Sequence, residues 1–282
     1  SPPGLAGVVG EDLDERADRG ADPVRRATAT DDLLSVLCHI ESDEGERFSD
    51  EDVVNHMILL MMAAHDTSTY TLSVMLEKLG QHPEWRERCR EEARELRDRV
   101  GPTPGLDDLQ SLEAVDLVMK ECLRLRAPVP VVLRKTVKDT VVEGVRIPRG
   151  TFVTVAPQFS HLMPEYWTDP EAFDPERFNA ERREDKSHRD AWEPFGGGVH
   201  KCLGMHFAGA EVKAFLQHFL LDFDWSVDPS YVAPLNNHSL PFPKDGQPIA
   251  LRRQDTRPAP RIRPEPGLRV RRRLSRNASR AM

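Results

Sequence analysis

The longest periodic stretch of the chain opens at Ser49, with acidic residues in its first turn and apolar positions recurring at helical spacing through "MILLMMAA" (57–64) to "LSVMLEKL" (72–79). Ser49 with Asp52 three residues on reads as a capping box and Gly80 as the stop, which predicts one helix of about 30 residues, roughly 45 Å long. Pro83 opens a strongly charged helix to about Val100. A short amphipathic helix, "DDLLSVLCHI" (31–40), precedes the long one, and two helical pieces occupy 106–126. The period then changes: residues 129–157 are β-branched and punctuated by Gly144, Pro148 and Gly150, which predicts two or three short strands. Residues 161–194 read as a Pro-, Asp- and Arg-rich loop with brief helical turns, and "MHFAGAEVKAFLQHFLL" (205–221) as an amphipathic helix. The pattern is mainly α with small β sheets, without an internal repeat.

Composition divides the chain. Residues 1–30 are rich in Gly, Pro, Ala and charge, and residues 252–282 carry eleven arginines against Asp255 and Glu265; both segments are expected to be disordered around a folded 31–251. The net charge of −8 therefore hides an acidic body and a basic tail, the latter read as a solvated extension with no specific nucleic-acid target. The run "MILLMMAA" is far below the roughly 20 apolar residues that span a bilayer, and the N-terminus has no apolar signal region, so no membrane span and a cytoplasmic location are expected. Cys38, Cys89, Cys122 and Cys202 are widely separated, with no C-x-x-C pair; this argues against a zinc knuckle or a disulfide scaffold and fits a reducing compartment.

Candidate chemistry concentrates at Cys202, inside the glycine-rich "FGGGVHKCLG" (195–204) that opens onto a helix. Backbone N–H groups and the helix dipole favour an anionic sulfur there. A nucleophilic cysteine would need a base, and His200 and His206 are near in sequence. A conventional metal site would need more soft ligands than this neighbourhood offers. A haem thiolate needs one cysteine, glycines that admit a flat ring, and N–H donors near the sulfur, and fits best; an inert loop cysteine stays open on composition alone.

The segment resembles the haem-binding loop of the cytochrome P450 family: Phe, two residues, Gly, one residue, His or Arg, one residue, Cys, one residue, Gly. Phe195, Gly198, His200, Cys202 and Gly204 match it. The resemblance implies that Cys202 is the axial thiolate of a haem (heme b) iron, that Phe195 packs near the sulfur and that His200 reaches a propionate. It also implies that Gly204 lets the next helix lie close to the ring. Arg134 falls where family members place an arginine against a propionate, although an ordinary strand-end arginine accounts for it equally well.

Glu121 and Arg124 in "KECLRL" stand three apart on one helical face, a spacing that by itself describes a surface ion pair worth a few tenths of a kcal/mol. The family pairs such a Glu-x-x-Arg with a later Pro-x-Arg-Phe, supplied here by Pro175, Arg177 and Phe178, which implies a partly buried charge network that positions the cysteine loop. In "AAHDTST" (63–69) the hydroxyls can bond back to the preceding turn, or simply mark a wet face. The segment resembles the family's oxygen-binding groove, which implies proton delivery by Asp66 and Thr67, with His65 lining the pocket or facing a neighbouring helix. His56, His161 and His206 receive no assignment and read as structural or exposed.

The likeness runs from about Ser49 to Arg252, which implies the C-terminal part of the cytochrome P450 fold with the N-terminal half missing. The implied activity is that of a haem-thiolate monooxygenase, with electrons from a ferredoxin or flavoprotein reductase and a small hydrophobic substrate: sterol, terpenoid or fatty acid-like. The loop looks closest to sterol-demethylase-like bacterial members. A truncated, inactive remnant or weak haem-binding protein is the alternative.

Overall fold

The computed structural model describes residues 32–236 and 240–254; the expectations for residues 1–30 and for the tail beyond Gln254 lie outside the described residues. The helices are α1 (Leu33–His39), α2 (Asp50–Gln81), α3 (Pro83–Val100), α4 (Leu106–Leu109), α5 (Glu113–Leu125), α6 (Pro157–Ser160) and α7 (Met205–Asp222). Short 3-10 turns cover Pro175–Phe178, Glu184–Lys186 and Gly198–His200.

Among the described residues the strands form antiparallel pairs. β1 (Val132–Lys135) runs against β4 (Phe152–Val155), β2 (Thr140–Val142) against β3 (Val145–Ile147), β5 (Phe223–Ser226) against β8 (Ala250–Arg253), and β6 (Leu235–Asn236) against β7 (Phe242–Pro243). Residues 129–157 thus hold four strands rather than two or three. Arg252 and Arg253 belong to β8, opposite Asp224 and Phe223.

The core lies among the second half of α2, α3, α5 and α7, where Met75, Leu79, Cys89, Ala93, Val115, Val118, Leu216 and Leu220 are buried. The first half of α2 stands apart from it, with Leu59, Met61 and Met62 exposed. Among the described residues no helix is long and apolar enough to cross a membrane.

Local chemistry explains where the helices begin. Ser49 Oγ accepts from the Asp52 amide at 3.2 Å, and the Asp52 carboxylate accepts from the Ser49 amide at 3.3 Å, so the capping box forms as read. Helix α5 has no side-chain cap of its own. The Glu92 carboxylate of α3 accepts from the Ala114 amide at 2.8 and 2.9 Å, and burial holds that carboxyl above its ordinary range. At the other end of α5, the Gln158 amide donates to the Arg124 carbonyl at 2.9 Å and its oxygen accepts from the Ala127 amide at 2.8 Å. Both ends of α5 are therefore fixed by other elements, which matters because α5 carries two of the network charges.

Gly80 is not the stop. Helix α2 continues to Gln81 with His82 as its C-cap, and Gly80 lies buried against β5 and the residue after it. A Cβ there would come within 2.6 Å of Val227 Cγ2 and 3.1 Å of both Trp225 Cδ1 and the Val227 amide nitrogen. The absent side chain lets the strand cross the helix, and the Val227 amide donates to the Gly80 carbonyl at 3.2 Å. An exposed helical glycine would gain about 1 kcal/mol on conversion to alanine. Here the overlap reverses the sign: Gly80→Ala is expected to lose about 1–3 kcal/mol in urea unfolding, with Val227→Ala recovering part of the loss.

Candidate functional site

The charges predicted to form a partly buried network are fully buried: Glu121, Arg124 and Arg177 are each 0% exposed. The Arg124 guanidinium grips Glu121 with two bonds, Nε to Oε2 at 2.7 Å and Nη2 to Oε1 at 2.8 Å. Arg177 Nε reaches Glu121 Oε1 at 3.2 Å, and its Nη1 donates to Glu184 Oε2 at 2.9 Å, so a fourth residue balances two guanidiniums with two carboxylates. The remaining donors end on main-chain carbonyls. Arg124 serves His161 and Pro170 at 2.8 and 2.6 Å, and Arg177 serves Thr168 at 2.7 Å. Sequence reasoning missed Glu184, seven residues beyond Arg177 and outside the Pro-x-Arg-Phe segment.

An aromatic path leads from this network to the cysteine loop. Arg124 lies over the Trp167 ring at 5.1 Å; Trp167 meets Phe178 at 5.6 Å, Phe178 meets Trp192 at 5.7 Å, and Trp192 meets Phe195 edge-on at 6.3 Å. Phe195 is half-buried against the main core, and its carbonyl accepts from the Cys202 amide at 2.9 Å, closing the loop. Gly196 and Gly198 hold φ of +66° and +64°, the left-handed backbone the bend requires. The structure therefore brings Phe195, Gly198, His200, Cys202 and Gly204 into one loop. Cys202 itself precedes α7, whose N-cap is Gly204, rather than beginning the helix.

Cys202 is exposed, and a Cβ at Gly204 would lie 3.9 Å from its sulfur. Val199 and Leu203, on either side of the cysteine, are 95% and 93% exposed, and Phe207 in the first turn of α7 is also exposed. Apolar side chains this open, around a thiol and glycines, form a platform for a flat apolar ligand. Haem fits these surroundings on two counts, the single soft donor and the open apolar rim. Among the described residues no hydrogen bond joins Cys202 to His200 or His206, and no three His, Cys, Asp or Glu side chains converge as a metal site. The nucleophile and multi-ligand readings thus lack geometric support.

Asp66 and Thr67 lie midway along α2, and their bonds are local: the Asp66 carboxylate meets His65 Nδ1 at 2.7 Å, and Thr67 Oγ1 donates to the Ala63 carbonyl at 2.8 Å. Thr69, Thr71 and Ser73 donate to their own i−4 carbonyls in the same way. Arg134 is exposed on β1, with its guanidinium turned to the Leu133 carbonyl at 3.0 Å. His161, left without a role by sequence, is 0% exposed and accepts from the Glu193 amide through Nε2 at 2.9 Å. Burial, then the neighbouring Arg124 charge, push its pKa down to about 4.

A family model described as Cytochrome P450 matches residues 11–248. The chain is 50% identical over 230 residues to a provisionally named cytochrome P450 136 of Mycobacterium tuberculosis, covering 81% of this chain and 46% of that protein. It is 37% identical over 233 residues to human cytochrome P450 4F2, covering 81% and 44%. A solved cyanobacterial structure, CYP120A1 with retinoic acid bound, superposes with a TM-score of 0.77 at 31% identity, covering 88% of this chain and 56% of that one. The chain spans about half the length of the curated relatives it matches.

Two outcomes test the buried groups. Glu121→Ala leaves two guanidiniums without their shared carboxylate and is expected to cost about 3–5 kcal/mol in denaturant unfolding, whereas Asp139→Asn, in the exposed pair with Arg146, stays within about 1 kcal/mol. The depressed value at His161 means that between pH 6.5 and about 4 the unfolded chain binds a proton that the folded chain refuses. Its contribution to stability is complete above roughly pH 6.5 and is lost as pH falls through about 4. His161→Gln, which cannot ionise, is expected to flatten the fall in urea midpoint across that window, by an amount equivalent to at most about 3 kcal/mol.

Proposed function

The chain belongs to the cytochrome P450 family, and from that premise we propose that it is the haem-bearing part of a monooxygenase that inserts one atom of O2 into a small hydrophobic substrate. The observation that carries this reading is the cysteine of a five-position glycine loop, bound back to Phe195 and tied through stacked rings to a buried charge network. When bound, haem supplies reductive activation of oxygen, converting O2 and a C–H bond to an alcohol and water with two electrons and two protons.

The chain's own residues have distinct tasks. Cys202 presents the sulfur, and the Phe195 carbonyl holds the amide of the same residue, so ligand and loop move together. Val199 and Leu203 give the loop an exposed apolar edge for the ring, and Phe195 packs behind the loop. His200 and Arg134 would face the haem propionates. Gly198 supplies the left-handed backbone of the bend, and a side chain at Gly204 would begin 3.9 Å from the thiol.

Asp66 and Thr67 move protons. The carboxylate of Asp66, held by His65, exchanges with solvent, and the Thr67 hydroxyl, anchored on the Ala63 carbonyl, passes a proton inward. Electrons come from a ferredoxin or flavoprotein. The apolar positions on α2 and the retinoic acid-bound relative support a sterol, terpenoid or fatty acid-like substrate. Four free cysteines support a reducing cytoplasm.

The reduced, carbon monoxide-treated chain is expected to give a thiolate-type Soret band that Cys202→Ala abolishes. An imidazole-type or absent band in the wild-type chain would overturn the thiolate assignment and leave a haem-binding or inactive remnant. With the thiolate band in place, Asp66→Asn is expected to lower turnover on the order of 10²-fold, with a changed solvent isotope effect.

A further inference from the structure

We infer that His161 is a positioning residue for the cysteine loop: the charge network holds its backbone, and its imidazole, as an acceptor, holds the start of the loop that carries Cys202. The inference rests on the haem-thiolate reading above for its consequence, but its geometry is independent of any bound group. His161 is completely buried. Its carbonyl accepts from Arg124 Nη1 at 2.8 Å, and its Nε2 accepts from the Glu193 amide at 2.9 Å. The Glu193 carbonyl in turn accepts from the amide of Gly196, the first glycine of the bend, at 3.1 Å. The Glu193 carboxylate also lies against the loop, since a Cβ at Gly197 would meet its Oε1 at 2.9 Å. One residue therefore joins the two structures: the network grips it by the main chain, and it grips the start of the loop by the ring.

The direction of the bond fixes the state of the ring. A backbone amide can only donate, so Nε2 carries no hydrogen and the neutral imidazole bears its proton on Nδ1. That Nδ1 is buried and has no hydrogen-bond partner among the described residues. A histidine recruited only to fill space would gain nothing from an unpaired buried N–H, and a phenyl ring would serve as well. The acceptor at Nε2 is what the site retains.

The test compares two variants in a Cys38→Ser background, where Cys89 and Cys122 are buried and Cys202 is the exposed thiol. His161→Phe keeps a planar ring and removes the acceptor; His161→Gln carries an acceptor of similar reach. The Phe variant is expected to change the rate at which iodoacetamide alkylates Cys202 in the haem-free chain, and to weaken haem binding about tenfold to a hundredfold. The Gln variant is expected to restore most of both. The inference is overturned if Phe matches wild type in both measurements, or if Gln and Phe depart equally, which a packing role alone would produce.

Should the Phe variant not fold, amide hydrogen exchange on the wild-type chain decides. Glu193, Gly196 and Cys202 amides exchanging in one common opening support the inference, and Cys202 opening independently of Glu193 overturns it. If the wild-type chain fails to take haem through sulfur, the function reading falls, while the alkylation and exchange arms still judge His161.

Discussion

The architecture depends on burying two guanidiniums beside one carboxylate. Taking such charges out of water is expensive, and their mutual attraction offsets that cost only when every donor is satisfied. Here the donors reach beyond Glu121 to the carbonyls of His161, Thr168, Asp169, Pro170 and Ala172. That stretch has almost no regular secondary structure, so its carbonyls lack the partners a sheet or helix would supply. The planar forks of Arg124 and Arg177 take the place of those partners. An irregular segment becomes a fixed one because it is wrapped around two cations.

Position then spreads from α5 to the cysteine by two routes. One is apolar: Trp167, Phe178, Trp192 and Phe195 step across the molecule in tilted and edge-on contacts, and the Trp192 indole donates to the Lys120 carbonyl of α5 at 3.3 Å. The other is polar and passes through His161 and Glu193. Neither route includes a flexible side chain ending in solvent. Among the described residues the backbone bonds of the loop are short-range, such as Lys201 to Gly198 and Cys202 to Phe195, and the loop takes its orientation from what lies behind it.

What the sequence disclosed, it disclosed where the chemistry is local. The Ser49 box and Pro83 in a first turn act within a few residues and formed as read, and the β-branched run formed strands, four rather than two or three. Gly80 was misread because a glycine that ends a helix and one that admits a crossing strand look alike along the chain; only Val227, far away in sequence, tells them apart. The Glu121 and Arg124 spacing was visible, but their complete burial was not, since it comes from a loop some 50 residues downstream. His161 carried no signal, because its partner is a main-chain amide 32 residues away and any residue type supplies one. The apolar run in the first half of α2 leaves Leu59, Met61 and Met62 exposed, which its periodicity alone did not disclose.

The hydroxyls of Thr67, Thr69, Thr71 and Ser73 give the long helix an unusual reserve. Each rests on a carbonyl of the turn before it, so those carbonyls have a second claimant besides the amide of the helical ladder. A hydroxyl so placed can swing off toward another acceptor for about 1 kcal/mol while the ladder stays whole. The middle of α2 can thus change its wiring without changing its shape, a latitude that a helix of alanine and leucine would not possess.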